Sequence, residues 1–127
     1  MTHATATDTI AGLGAAELVA LIGSGIVSAT EVVEAHIRRI EEVDPKLNAV
    51  AIPLFEQAMD SAAAADAAQA RGKPMGSLHG VPITIKEQYR VAGTQTTLGA
   101  AEKIGNVYHD EGPLVSALRR AGAVVLG

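Results

Sequence analysis

Cysteine and tryptophan are absent from this 127-residue chain, phenylalanine occurs once and tyrosine twice. Without cysteine there is no disulfide, no thiolate zinc site and no cysteine nucleophile, and a reducing compartment fits. The scarcity of aromatics bears on the core. The hydrophobic share is 48%, but much of it is alanine, and small side chains each remove little area from water. The length suits one domain, yet its core would be thin, which hints that the chain is part of something larger. The formal net charge is −4 and the ten basic residues are scattered, which argues against a nucleic-acid or anionic-membrane surface. No apolar run is long enough to span a bilayer, and the first ten residues, MTHATATDTI, have neither a basic n-region nor an apolar h-region. The expectation is a cytoplasmic protein with no nucleic-acid or membrane partner.

Several kinds of chemistry are missing too. His3, His36, His79 and His109 show no ligand spacing and there is no HExxH, so no metal and no cofactor are expected. Gly23-Ser24-Gly25 does not extend to GxGxxG, and no GxxxxGK[ST] occurs. No serine sits in a GxSxG turn; Ser28 reads as a helix cap, and Ser61 and Ser116 fall in helical segments. Arg38-Arg39, Arg119-Arg120, Glu41-Glu42 and Glu102 read as solvated helix faces, and Asp110-Glu111 precede a helix start, where the dipole favours negative charge.

The elements follow from spacing. Residues 1–8 read as a loose polar arm. Leu18, Leu21 and Ile22 give a helix over 15–22, ended by the Gly23-Ser24-Gly25 turn. Ser28-Ala29-Thr30-Glu31 has the S-x-x-E form of a capping box, and Val33, His36, Ile37 and Ile40 stripe a helix over 29–43 that Asp44-Pro45 should stop. Val50 and Ile52 alternate in a candidate strand over 47–52. Residues 54–71 are nearly half alanine and predict a third helix, with Phe55, Met59 and Ala62 inward. After a glycine-containing loop come a strand over 81–86, a threonine-rich loop over 93–99 and an irregular stretch over 100–112. Pro113 begins a helix over 113–121, with Leu114, Val115 and Leu118 inward, and 123–126 is a short buried strand. The fold class is therefore α/β: N-terminal helices followed by the first strands of a mixed sheet, in a single domain over 1–127.

The stretch from Ser77 to Gly99, SLHGVPITIKEQYRVAGTQTTLG, concentrates the candidate chemistry. Strand periodicity puts Val81, Ile83 and Ile85 on one face and Pro82, Thr84 and Lys86 on the other. Lys86 thus shares a face with a hydroxyl and a proline rather than with the aliphatic core. If that face lines a cleft, desolvation favours the neutral amine, which can act as a base. A strand-end lysine reaching to water is the other reading.

Leu78-His79-Gly80-Val81-Pro82, then Ile85-Lys86-Glu87, then Gly93, Thr96-Thr97 and Gly99 stand in an order that resembles the start of the amidase signature family. That family typically carries L-x-G-[VI]-P, a V/I-K-D/E step and a G-x-x-T-T-x-G loop. The flanks agree: Ala16-Glu17-Leu18, Ser24-Gly25, Ser28, Glu31, Arg39-Ile40 and Leu47-Asn48-Ala49 before it, and Leu114-Val115, Leu118-Arg119 and Ala121-Gly122-Ala123-Val124 after it. The resemblance implies an incomplete amidase-signature fold and hydrolysis of a carboxylic amide C–N bond by a Ser–cis-Ser–Lys triad. Lys86 matches the lysine of that triad, the base that activates the nucleophilic serine through the bridging one.

Both family serines come later than the position matched by Gly127, and Glu87 stands where aspartate is commoner. Being adjacent in a strand, Glu87 is not expected to pair with Lys86. Thr96, Thr97 and Gly99 either help shape the site or simply fix a loop. His79-Gly80 reads as a turn into the strand. The resemblance implies a small-molecule amide as substrate, its class unspecified, and as partner the missing C-terminal remainder or a second copy. Two other functions stay open: a non-catalytic interaction module derived from an amidase, and one chain of an amidotransferase that makes aminoacyl-tRNA.

Overall fold

The computed structural model describes residues 6–127. Its helices are α1 (Ala6–Ala11), α2 (Ala15–Gly23), α3 (Ala29–Leu47), α4 (Phe55–Ala70) and α5 (Pro113–Arg120). The strands are β1 (Pro82–Ile83), β2 (Thr94–Gln95), β3 (Val107–Tyr108) and β4 (Val124–Val125), and a 3-10 turn covers Ala101–Lys103. The mixed α/β class with helices first is as the sequence implies. The loose arm is not: Ala6, Thr7 and Asp8 belong to α1, and the rest of that arm, residues 1–5, lies outside the described residues.

Local chemistry sets the helix starts. The Ser28 hydroxyl accepts from the Glu31 N–H at 3.0 Å, and the Glu31 carboxylate takes the Ser28 N–H at 2.8 Å, closing the capping box. Glu17 likewise reaches back to the Gly14 N–H at 2.8 Å. A third carboxylate comes from another helix. Asp66 on α4 accepts from the Ala29 and Thr30 N–H groups at 2.7 and 3.0 Å and from the Thr30 hydroxyl at 2.6 Å. Gln69, three residues on, donates to the Ile22 carbonyl at the end of α2, at 2.8 Å. The polar residues of the alanine-rich helix thus tie α4 to two neighbours: Asp66 satisfies the first N–H groups of α3, and Gln69 adds a second donor to the Ile22 carbonyl, which the Gly25 N–H already bonds. Asp66→Ala is expected to cost about 2 kcal/mol in urea unfolding. Asp60→Ala, on the exposed side of the same helix, should cost almost nothing, and equal costs would overturn this account.

Two expectations near residue 45 need correction. Helix α3 runs through Pro45 to Leu47 and ends at Asn48 in the left-handed region, φ 52°, whose N–H reaches the Asp44 carbonyl at 2.7 Å. In the last turn a proline forfeits only one backbone hydrogen bond. The Asp44 carboxylate then accepts from the Ala49 and Val50 N–H groups at 2.7 and 3.2 Å. With those donors bound to a side chain, and Pro53 lacking one, residues 47–52 form no strand; the Leu54 N–H reaches the Leu126 carbonyl, one residue past β4, at 2.9 Å.

The core joins Leu18 and Ile22 of α2, Val32, Val33 and Ile37 of α3, Ala58 and Ala62 of α4, and Val81, Val124 and Leu126 around the parallel pair. No aromatic is among the largest fully buried side chains. His36 is half-buried, its Nδ1 2.8 Å from the Val32 carbonyl oxygen. Leu114, expected inward, is 48% exposed, and Val115 alone of α5 is fully packed. Ile26 and Ile104 stand more open still, at 70% and 71%.

β1 pairs with β4 in parallel, Pro82 opposite Val124 and Ile83 opposite Val125. The hydrogen bonds extend the pairing beyond two residues, from Gly80 N–H to the Gly122 carbonyl at one end to Ile85 N–H to the Gly127 carbonyl at the other, both 2.9 Å. Among the described residues β1 has no second neighbour. β2 and β3 form a short antiparallel ladder, Thr94 opposite Tyr108, where the sequence suggests only loop and irregular chain. No helix of the described residues is long and apolar enough to cross a membrane.

Candidate active site

The strand is shorter than the 81–86 expected, Pro82–Ile83 alone, and the two faces separate only in part: Val81 is buried and Thr84 and Lys86 are exposed, but Pro82 is half-buried like Ile83 and Ile85, and Ile85 lines the same cavity as Lys86. Lys86 follows Ile85, whose N–H bonds the Gly127 carbonyl, and the Lys86 carbonyl accepts from the Tyr89 N–H at 3.0 Å, turning the chain away from the strand direction. It therefore stands at the C-terminal end of a parallel strand, the side on which open α/β sheets gather functional loops. Lys86 is exposed, so the described residues alone do not supply the desolvating cleft.

A cavity of about 630 Å³ opens here. Ala49 to Ile52 form one stretch of its wall, Thr84 to Glu87 another, and Thr94 and Gln95 a third. Its lining is mainly aliphatic, with Tyr89 as its one aromatic and the Lys86 amine as its one cationic group. The Asp44 carboxylate binds the first stretch at its Ala49 and Val50 N–H groups, and the Leu54 N–H ties the chain just after it to the Leu126 carbonyl.

Glu87, in the turn after Lys86 rather than in a strand, reaches across to the threonine loop. Its carboxylate accepts from two successive backbone N–H groups of the threonine loop, Thr97 and, at 3.0 Å, Leu98. The Thr97 backbone bond, then its side-chain contact, hold the Glu87 carboxyl below its ordinary value. A carboxyl lowered on folding stabilises the structure above its unfolded pKa, about 4.3, and that contribution is lost as pH falls through the lowered folded value. On acidification the Thr97 and Leu98 amide resonances should shift with one common midpoint below about 4.3. A midpoint at or above that value would contradict the contact.

The sequence offers no spacing rule for this bond, because it links positions ten apart across a turn. Thr96 is buried and its hydroxyl has no partner among the described residues; Thr97 ties the loop through its hydroxyl to the Gly99 N–H at 3.2 Å. His79 is buried in the turn before β1 and does not line the cavity. Asp110 and Glu111 pair with Arg90 and Arg119 rather than acting through the helix dipole alone. Among the described residues no three His, Cys, Asp or Glu side chains gather as a metal site.

Comparison with known proteins bears on this strand end directly. The family model described as Amidase matches residues 31–127, and the chain belongs to that family. The indoleacetamide hydrolase of Bradyrhizobium diazoefficiens is 42% identical over 113 residues, 89% of this chain and 22% of that protein. A glutamyl-tRNA(Gln) amidotransferase subunit from Salinispora arenicola is 40% identical over 118 residues, 93% of this chain and 24% of the other. The solved structure of fatty acid amide hydrolase superposes with a TM-score of 0.89 at 30% identity, over 94% of this chain and 21% of that one. The chain thus spans under a quarter of the length of each of these three proteins.

Proposed function

We propose that the complete protein is an amidase that hydrolyses a carboxylic amide C–N bond, with Lys86 as the base of a Ser–cis-Ser–Lys triad. The observation that carries this reading is the placement of Lys86, at the end of the β1–β4 pair and on the wall of the mainly aliphatic cavity. In this mechanism the neutral amine takes a proton relayed through the bridging serine. The nucleophilic serine oxygen attacks the carbonyl carbon, the C–N bond breaks, and the amine leaves with the relayed proton. Water then cleaves the acyl ester and releases the acid. The two serines belong to a part of the family pattern that these 127 residues do not match.

The substrate is a small-molecule amide. Its partner on the protein side is the further chain that the length of the relatives implies, or a second copy, covering side chains such as Ile26, Leu47 and Ile104. The likeness to the Salinispora amidotransferase supports a second reading, as one chain of an enzyme in aminoacyl-tRNA synthesis. The test is ammonia or amine release from simple amides by the complete protein without tRNA, with Lys86→Ala as its control. Release by the parent and none by the variant supports the amidase. No release from any amide alone, but transfer of the amide nitrogen to an aminoacyl-tRNA acceptor when one is supplied, favours the second reading. No release under either condition leaves a non-catalytic module.

A further inference from the structure

The grip of Glu87 on the threonine loop is not accounted for by Lys86 acting as a base. Glu87 is the immediate neighbour of Lys86, inside the turn that the Tyr89 N–H closes on the Lys86 carbonyl. Its two acceptor oxygens meet the N–H groups of Thr97 and Leu98, ten and eleven residues on. Leu98 has φ 54°, a left-handed backbone that a bulky non-glycine residue rarely adopts, and the residue is 59% exposed; with Gly99 at φ 75° it forms a tight turn that the Ala100 N–H closes on the Thr97 carbonyl at 3.0 Å. The Glu87 carboxylate binds the outward N–H groups at the head of that turn and so ties the turn as a unit to the chain after β1. On the other side of the loop, the Thr94 hydroxyl donates to the Val91 carbonyl at 2.8 Å, and the Gln95 side-chain oxygen accepts from the Gly105 N–H at 3.0 Å. Thr94 and Gln95 line the same cavity as Lys86.

We propose that Glu87 is a positioning residue: it fastens the threonine loop to the strand end that carries Lys86, so that lysine and cavity wall are set by one clamp. This rests on the amidase reading of Lys86. A carboxylate suits the task because it offers an acceptor to each N–H. A carboxamide of the same shape has one acceptor oxygen and would turn an NH₂ towards the other N–H. Lys103 of the 3-10 turn and Lys86 itself are the cationic groups nearby, and the Lys103 charge favours the same ionised state.

The test uses the complete enzyme. Glu87→Gln is expected to lower kcat about tenfold or more, because small misplacements of a catalytic group are costly, while KM changes less than about threefold. Hydrogen-exchange protection of the Thr97 and Leu98 amides should fall with it. Glu87→Asp keeps both acceptors and should recover most of the lost kcat. A structural role alone would lower the melting temperature and leave kcat per folded molecule unchanged. Parent-like kcat in Glu87→Gln, with Lys86→Ala inactive, overturns the clamp and spares the lysine. Parent-like turnover in Lys86→Ala overturns the reading beneath it. Should Glu87→Gln fail to fold, the unaltered enzyme still decides: protected Thr97 and Leu98 amides support the clamp, and freely exchanging ones overturn it.

Discussion

Lys86→Ala in the complete protein is expected to lower kcat for amide hydrolysis by about 10³-fold or more, with the melting temperature almost unchanged. The two halves of this expectation have different causes. Lys86 is exposed and, among the described residues, makes no ion pair or hydrogen bond through its amine, so its removal leaves no buried group unsatisfied. A base that starts proton relay to a nucleophile, by contrast, has no substitute in the cavity wall, where Glu87 is committed to two N–H groups. Lys86→Arg should be nearly as inactive, because a guanidinium does not give up its proton in this pH range and so cannot accept one. Steady-state ammonia release, read beside a thermal melt of each variant, checks both halves. An active Lys86→Arg would show that only a positive charge is needed there, and the role of base would be lost.

How much of this is legible in the sequence depends on the range of the interaction. The Ser28 capping box, the alanine-rich helix and the buried strand at 123–126 rest on contacts within a few residues or on periodicity, and each stands where the spacing puts it. Lys86 is legible as an exposed side chain just after a short strand, although only Pro82 and Ile83 are strand and Ile85 lines the same cavity, so alternation accounts for its placement only in part. The departures come from carboxylates that bind backbone N–H groups outside their own helix or turn. Asp44 removes two N–H groups from a would-be strand, and Asp66 caps a helix that starts thirty-seven residues earlier. Glu87 orders a loop that composition alone marks only as glycine- and threonine-rich. In each case a side chain competes with, or substitutes for, backbone pairing, and neither propensity nor hydrophobic period records that competition. The β2–β3 ladder is hidden because two residues on each strand are too few to show alternation.

The second large effect is structural and lies just before the strand that carries Lys86. Gly76→Ala is expected to destabilise the protein by about 3 kcal/mol or more, although Gly76 is only half-buried and its φ is not in the left-handed region. A Cβ at this position would fall 2.1 Å from the Ala121 carbonyl oxygen and 2.5 Å from its carbon. Those are backbone atoms that close α5, and the same oxygen accepts from the Leu78 N–H at 2.8 Å. Relief would require parting the turn before β1 from the end of α5. The next pairing along, Gly80 N–H to the Gly122 carbonyl, opens the ladder that leads to Lys86. Gly93 supplies the contrast: its φ is +81°, but a Cβ there meets nothing within 4 Å, so Gly93→Ala should cost only the conformational penalty of about 1–2 kcal/mol. Denaturant unfolding of the two variants separates the causes. If Gly76→Ala costs no more than Gly93→Ala, the close approach is not what the strand hangs on. If it costs clearly more, and residual kcat falls with it, the contact between residues 76 and 121 sets the position of Lys86 from ten residues away.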